Sequence, residues 1–242
     1  MTQFTYNGIS SADMGVRIQS KSIYSVPKFD ISSVTIPGRD GELLVPSGRF
    51  PNATVSYTCF VPARSIEQLG EKITAIKAWL YTEPDRYHIL TDSYDTLFFR
   101  KAVISNKLDI GEQCRKIGTF TITFSCYPFR FSNDGQRKIE SAEAVTLINP
   151  YPFNAKPYIK VNGRGEGTLI IQSEGSNKIW YFKTLNGYTE CDSEQMNFYH
   201  DTQSKNDTVS GDGFPILYPG RNTISFEGAI KRIEIVPRWV CL

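Results

Sequence analysis

Few side chains in this sequence have the types and spacing that catalysis or metal binding requires. The 242 residues include two histidines, His88 and His200, and a zinc site or a Ser-His-Asp triad would need close partners for them. Neither the H-E-x-x-H motif of zinc proteases nor the G-x-S-x-G motif of hydrolases occurs. The sequence therefore predicts no catalytic residue, no metal site and no cofactor.

Pairs of carboxylates are the next candidates for chemistry, since a glycosidase places two facing carboxyl groups around the bond that it breaks. Three pairs lie close in sequence: Asp92 with Asp95, Asp109 with Glu112, and Asp192 with Glu194. Nothing favours one pair over the others, and the segment from Asp92 to Asp95 is more typical of a hairpin turn. A glycoside hydrolase or esterase is therefore the least supported of three hypotheses, and we expect the protein not to be an enzyme.

A glycine-rich segment, Gly163-Arg164-Gly165-Glu166-Gly167, resembles a phosphate-binding loop in composition. It lacks the G-x-G-x-x-G spacing, and no helical pattern follows whose N-terminus would bind an anion. A turn between two strands is the better interpretation.

The charge balance excludes a protein whose main task is to grip nucleic acid. The net charge is +2, from 27 basic and 25 acidic residues, and no block of Lys or Arg occurs. The five cysteines are odd in number and form no C-x-x-C motif, so we expect reduced thiols packed as small apolar side chains. No secretory signal and no membrane-length apolar run are visible, which predicts synthesis in a cytoplasm without a membrane anchor.

The elements that would position any site are mostly strands. Aromatic residues make up 13% of the chain, which favours β structure. Residues 52–60 and 118–126 alternate strictly between apolar side chains and Ser or Thr, the pattern of half-buried strands. The hydroxyl-rich outer faces have two interpretations: the β-propensity of Thr alone, or a face that packs on another subunit or lines a wet channel.

One helix interrupts the strands. Ser65 to Gln68 has the form of a capping box, with Ser65 as N-cap. An apolar stripe follows, and Glu83-Pro84 is expected to end the helix because the residue before proline avoids the helical region. We expect this stripe to pack across a sheet.

The sequence predicts two domains. Predicted strands and the helix occupy 1–132, residues 133–156 form a turn- and proline-rich linker and domain entry, and residues 157–242 contain six short strands separated by Gly or Asn. The fold class is mainly β, with an N-terminal sandwich or sheet domain bearing one helix and a C-terminal β-sandwich.

A short segment between two apolar runs combines unusual turn residues. Pro37 fixes φ and Gly38 takes positive φ, which suits a type II turn, and Asp40-Gly41 offers a second reversal. Such a rigid, charged loop is typical of contact or closure rather than catalysis. We expect Pro37, Gly38, Arg39, Asp40 and Gly41 to lie at the rim of the N-terminal sheet.

Several motifs recur in an order that resembles the distal tail (Dit) proteins of siphophages, known chiefly from phages of Gram-positive hosts. Besides the loop at 37–41, they are Phe4-x-Tyr6-Asn7-Gly8, Ser11-x-Asp13, Trp79-Leu80, Cys126-Tyr127-Pro128 and Gly213-Phe214-x-x-Leu217-Tyr218-Pro219-Gly220-x-Asn222. The resemblance covers nearly the whole chain. It implies a galectin-like C-terminal sandwich and an N-terminal domain that builds a hexameric ring at the tail tip.

The resemblance also implies partners and a place in the virion. The ring joins the tail tube protein to the tail-associated lysin or fibre protein, and in some members to a receptor-binding protein, and DNA passes through it without specific binding. The loop at 37–41 would then contact a neighbouring subunit, with Arg39 or Asp40 in an inter-subunit ion pair; a turn lock within one chain is the alternative.

A third hypothesis is a carbohydrate-binding module that recognises cell-wall glycans of the host. Trp180 lies beside Tyr181 and Phe182 and is the candidate for stacking on a sugar ring. Packing of Trp180 in the core is the competing interpretation.

Overall fold

A computed structural model describes residues 2–113 and 116–242 of the chain. Strands account for 54% of the residues and helices for 8%, which confirms a mainly β fold. The chain divides into two compact units: an N-terminal unit that ends at Arg130 and includes Leu242, and a C-terminal unit of residues 131–241. Cys114 and the side chain of Glu112 lie outside the described part.

The N-terminal unit contains ten strands and a single α-helix among its described residues, and a short strand β11 (Arg130–Ser132) begins at its boundary. They are β1 (Phe4–Tyr6), β2 (Ile9–Ser10), β3 (Arg17–Ser22), β4 (Ile31–Thr35), β5 (Glu42–Pro46), β6 (Ala53–Pro62), α1 (Ile66–Leu80), β7 (His88–Asp92), β8 (Phe98–Ile104), β9 (Gly111–Gln113) and β10 (Ile117–Cys126). The main sheet has the order β2-β1-β7-β8-β10-β6-β3, and β9 pairs with β10. Strands β4 and β5 form a separate two-stranded sheet.

Strands β6 and β10 are the long centre of the main sheet, at the positions that alternation predicts. They pair antiparallel from Ala53↔Cys126 to Pro62↔Ile117. Their apolar positions, including Tyr57, Ile122 and Phe124, are buried, while the hydroxyl positions lie on the other face.

Helix α1 packs on the buried face of this sheet. Ser65 is its N-cap and accepts a hydrogen bond from the Gln68 N–H, as predicted. Leu69, Ile76 and Trp79 are buried, and the Trp79 indole donates to the Tyr6 carbonyl at 2.9 Å. No helical segment within residues 2–113 and 116–242 has the length and apolarity needed to cross a bilayer.

The C-terminal unit is built on three long strands. After a short 3-10 helix at Asp134–Gln136 its strands are β12 (Ile139–Ser141), β13 (Val145–Asn149), β14 (Tyr158–Ser173), β15 (Ser176–Asp192), β16 (Asn197–His200), β17 (Gln203–Ser204), β18 (Val209–Gly211), β19 (Gly220–Val236) and β20 (Val240–Cys241). Its sheet has the order β12-β19-β14-β15-β16-β17, with β13 on β19 and β18 on β15.

The six short strands predicted here are segments of these three long, bent strands, and the predicted turn at 163–167 is a bulge inside β14. The register shifts between Gly165 and Gly167 against β15, and between Asn162 and Gly167 against β19. A Cβ on Gly163 would lie 2.4 Å from the Ala229 carbonyl oxygen, so only glycine allows this approach. Turns and bulges both need glycine, which is why the sequence did not distinguish them.

The bend folds one sheet into a sandwich. Ile159, Cys191 and Ile233 from one half of the long strands share a single core with Leu169 and Trp180 from the other half. The two halves therefore pack face to face.

Residues 133–156, predicted as linker and domain entry, contain two strands of this sheet. Strand β12 pairs with the 233–235 part of β19, and β13 pairs with its 220–224 part. Asn149 then holds the proline-rich return, since its amide donates to the Phe153 carbonyl at 2.8 Å. Each of these strands is only three to five residues long, which is too short to give a clear alternation in the sequence.

Candidate assembly surface

A hairpin in the N-terminal unit is exposed along its whole length. Strands β4 and β5 pair from Ile31↔Pro46 to Thr35↔Glu42, and every residue from 31 to 46 is exposed. We call residues 31–46 the arm. The sequence analysis missed β5, although the run Leu43-Leu44-Val45 after a turn was a usable signal.

The base of the arm is fixed to its own unit by aromatic rings. The Phe50 ring lies 4.8 Å from that of Phe29 and 5.6 Å from that of Phe129, both edge to face. Asp30 and Arg49 form an ion pair of 3.0 Å beside them. The arm therefore leaves the unit from a defined point.

The predicted tight turns are present, at the tip of the arm. The Arg39 N–H donates to the Ile36 carbonyl at 3.1 Å, and Gly38 has a φ of +78°, the geometry of a type II turn. Gly41 has a φ of +75°. The predicted position at the rim of the main sheet is wrong, because β5 lies between this loop and β6.

The pairing gives the arm two unlike faces. Val34, Leu43 and Val45 lie on one side with Ser32, and Ile36 continues that side; we call it the apolar face. Its large side chains are 37–47% exposed. The opposite side, the mixed face, carries these six residues: Ile31, Ser33, Thr35, Glu42, Leu44 and Pro46.

An isolated two-stranded hairpin is marginal in water, and a contiguous exposed apolar patch marks an interaction surface. The chain supplies no second layer for the apolar face among its described residues. Arg39 and Asp40 likewise form no ion pair with any described residue, so the predicted inter-subunit ion pair stays a prediction. The arrangement can bind a partner by burying Val34, Leu43 and Val45.

A second surface lies on the outer side of the main sheet. Strands β3, β6 and β10 align Ser20, Thr58 and Thr121 in one row, and the next row of this face is also made of hydroxyl residues. We call these rows the hydroxyl face; the second row consists of Ser22, Ser56 and Thr123. The face is uncharged along both rows.

The candidate catalytic side chains have structural partners instead. The His88 ring bonds the Glu83 carbonyl at 3.1 Å, while His200, in the other unit, stacks on Tyr188 at 4.2 Å. Within the described residues no three His, Cys, Asp or Glu side chains are grouped to hold a metal ion.

The carboxylates are similarly engaged. Asp92 accepts the Tyr57 hydroxyl at 2.7 Å, and Asp95 pairs with Arg130 at 3.0 Å. The Asp192 carboxylate accepts hydrogen bonds from both terminal guanidinium nitrogens of Arg238, at 2.8 and 2.9 Å. Burial alone would raise the pKa of Asp192, but the hydrogen bonds from Arg238 and two backbone N–H groups hold that pKa below its ordinary value.

The described cysteines are free thiols, and three of them are inert. Burial raises the pKa of Cys59, Cys126 and Cys191 to about 12, so each stays protonated at neutral pH. Cys241 is half-buried.

The structure corrects the hypothesis that Trp180 stacks on a sugar. Its side chain is 1% exposed and its indole N–H donates to the Gly213 carbonyl at 2.7 Å. Alternation along β15 turns the neighbouring Tyr181 outward instead, where it is 53% exposed. A sugar in solvent has no access to the Trp180 ring.

Comparison with known proteins places these surfaces in a family context. Residues 10–126 match the family model of the phage tail protein RIFT-related domain. This stretch contains the arm and most of the hydroxyl face. No curated protein sequence matches the chain.

Two solved structures are similar over the full length. The crystal structure of the Dit protein of phage SPP1, described as a paradigm of the hub adsorption apparatus of phages that infect Gram-positive hosts, has a TM-score of 0.73. The match covers 97% of each chain at 13% identity. A chain of the phage P2 baseplate, in its activated conformation with calcium, has a TM-score of 0.50 at 8% identity, covering 98% of this chain and 97% of that one.

At such low sequence identities the two structures show only that the fold is shared. The match to the family model is a match in sequence, and it lies within the N-terminal unit. Residues 10–126, just under half of the chain, therefore resemble a phage tail protein RIFT-related domain, and the resemblance of the chain to siphophage distal tail proteins, which the sequence predicts, is confirmed.

Proposed function

We propose that the protein is a structural component of a phage tail tip, in which six copies form a ring that joins the tail tube to the lysin, fibre or receptor-binding apparatus. The observation that carries the proposal is the arm: a tail-protein domain presents an ordered apolar hairpin that its own chain leaves uncovered. The hub description of the SPP1 protein of the same fold supports the location at the tail tip.

The arm suits contact between identical subunits. Burial of apolar surface yields roughly 25 cal/mol per Å², so covering Val34, Leu43 and Val45 favours association. A contact between two different surfaces of the same subunit closes into a ring when the rotation allows it. The loop at 37–41 then meets the neighbouring copy, where Arg39 or Asp40 forms an ion pair.

The hydroxyl face suits the inner wall of such a ring. DNA that must pass through a channel should not be held there, and affinity for DNA comes mainly from Lys and Arg contacts to phosphates. The rows of Ser and Thr offer hydrogen bonds to water without fixed charge. The proposal is therefore that DNA passes along this face without specific binding.

The same proposal makes the protein a non-enzyme without cofactor, produced in the cytoplasm of the bacterial host and carried in the virion. Among the side chains considered for catalysis, both histidines and Asp92, Asp95 and Asp192 have the structural partners described above. The tail tube protein and the lysin or fibre protein are the proposed neighbours of the ring.

Electron microscopy of the purified chain, together with sedimentation velocity over a range of concentrations, tests the proposal. We expect six-fold rings whose fraction rises with concentration. Particles of another symmetry, or monomers alone across the whole range, would contradict it.

A further inference from the structure

We infer that the apolar face of the arm docks in a specific groove on the neighbouring copy, beside the C-terminal end of α1. This inference rests on the proposed function and names the surface that receives the arm. The groove has a volume of about 630 Å³ and is lined mainly by apolar atoms. Tyr81, Pro84, Ile104 and Leu108 supply that lining, and Lys77 adds charge, whereas Lys107 is paired with Asp109 at 2.9 Å.

Internal hydrogen bonds hold the groove open. The Tyr81 hydroxyl donates to the Asn106 carbonyl at 2.7 Å and accepts the Leu108 N–H at 3.1 Å. Asn106 is itself tied to β10, because its side chain donates to the Thr121 carbonyl and accepts the Thr123 N–H, both at 2.8 Å. A preformed site binds more tightly because little order must be gained on association.

The groove and the arm stand apart in the same unit. The arm leaves the chain between β3 and β6, at one edge of the main sheet, whereas Ile104 ends β8, on the far side of β10. The arm of a chain does not fill its own groove, since residues 31–46 are exposed. An arm on one side and a receptor on the other is the arrangement that a head-to-tail ring requires.

The charge and the size of the groove also match those of the arm. Lys77 is exposed and has no acidic partner among residues 2–113 and 116–242, while Asp40, in the loop at the tip of the arm, has no basic partner in the same part of the chain. A groove of this volume lies in the range that holds a few apolar groups, which fits one face of a hairpin with two five-residue strands. The second copy is therefore the occupant that both the apolar lining and the charges favour.

Photo-crosslinking between isotopically distinct copies tests the contact. A benzophenone amino acid replaces Val45, on the apolar face, or the adjacent Leu44, on the mixed face, in an unlabelled chain that is mixed with ¹⁵N-labelled wild type. In the ring fraction, the probe at 45 should join labelled peptides containing residues 77–84 or 104–108, and the probe at 44 should do so at least several-fold less. Crosslinks from 45 to other labelled peptides, or only within its own chain, would overturn the inference.

A charge variant gives an independent readout. Lys77→Glu should weaken ring assembly by about threefold per interface, the size of an exposed ion pair. Arg64→Glu makes the same charge change at the opposite end of α1 and should leave assembly unchanged. Equal effects of the two variants would count against the groove.

The two proposals fail separately. If the wild type forms no rings, the proposed function falls and the docking contact with it. If rings form but position 45 crosslinks elsewhere, the ring stands and only the groove is rejected.

Discussion

Two β-hairpins of this chain each have an apolar face, but only one of these faces is buried. Strands β14 and β15 alternate apolar and polar residues, and the apolar ones, such as Leu169 and Trp180, are buried in the C-terminal sandwich. Strands β4 and β5 also bring apolar residues together on one face, yet Val34 and Leu43 stay exposed. The difference is the second layer: β14 and β15 bend back on themselves to provide one, whereas no described residue of the chain forms a second layer on the arm.

Glycine is what separates the two cases. The bend in β14 depends on Gly163, where a side chain would strike the β19 backbone, and Gly228 has a φ of +72° close to the same point. The arm has glycines only in its terminal turn. The arm has no such hinge between its ends and its tip, so its strands do not fold back over their own apolar face.

The largest effect on stability is expected in the β14–β15 hairpin, whose apolar face is buried within its own unit. Trp180→Ala should lower the free energy of unfolding of the C-terminal unit by about 3–5 kcal/mol, because a large buried side chain leaves a cavity and the Gly213 carbonyl loses its donor. Tyr181→Ala, next to it on the outer face, is the matched control and should cost less than about 1 kcal/mol. Urea denaturation measures both; equal losses would show that the sandwich is not the closed core described here.

The Asp192–Arg238 ion pair is the next largest contribution within this unit. Arg238→Met removes a two-point contact to a carboxylate that is 5% exposed, and should cost about 2–3 kcal/mol at neutral pH, somewhat less than for a fully buried pair because Arg238 is partly exposed. The exposed Arg221→Met serves as control, with little expected change.

The same pair predicts a pH dependence of defined sign. Because the folded pKa of Asp192 is lowered, its stabilisation is complete above the unfolded value near pH 4 and is lost as the pH falls through the folded value. The stability gap between wild type and Arg238→Met should therefore be full at neutral pH and narrow below about pH 4. A gap that widened on acidification would contradict the assigned ionic role.

A smaller loss is expected where the bend itself is perturbed. Gly163→Ala places a Cβ against the Ala229 carbonyl and should cost about 2 kcal/mol through strain of two strands. Gly70→Ala, in the interior of α1 where no atom lies within 4 Å, should instead gain up to about 1 kcal/mol. Thermal unfolding measures the stability of both variants. If Gly163→Ala were more stable than Gly70→Ala, the bend in β14 would not depend on Gly163.

The sequence predicts the features that depend on local patterns, but not those that depend on pairing between distant strands. Strict alternation located β6 and β10 and the capping box located α1, because each pattern is local and is reinforced by neighbours in the chain. The fate of Trp180 was ambiguous because three successive aromatic residues on a strand face both ways, and only the bend of the sheet decides which side is the core. The arm loop was recognised by Pro37 and Gly38, but its position was not, because it depends on β5 pairing with β4 rather than with the main sheet.

The smallest effect on folding, and the sharpest test of the comparison, is expected in the arm. Leu43→Ser should change the free energy of unfolding of the monomer by no more than about 0.5 kcal/mol, because this side chain is already 40% exposed. The same change should weaken ring assembly by roughly three- to eightfold per interface, since burying the 40% of the leucine that is still exposed contributes roughly 0.6–1.2 kcal/mol.

Leu44→Ser is the matched control for that experiment, because it removes the same side chain one residue along, on the mixed face. It should leave both folding and assembly close to wild type, as measured by urea denaturation and sedimentation velocity on the same samples. If Leu44 matters as much as Leu43, the arm binds through both faces or through its backbone edges, and the parallel with the one-sided β14–β15 hairpin fails. If only Leu43 matters, the arm is half of a sandwich whose other half lies in another chain.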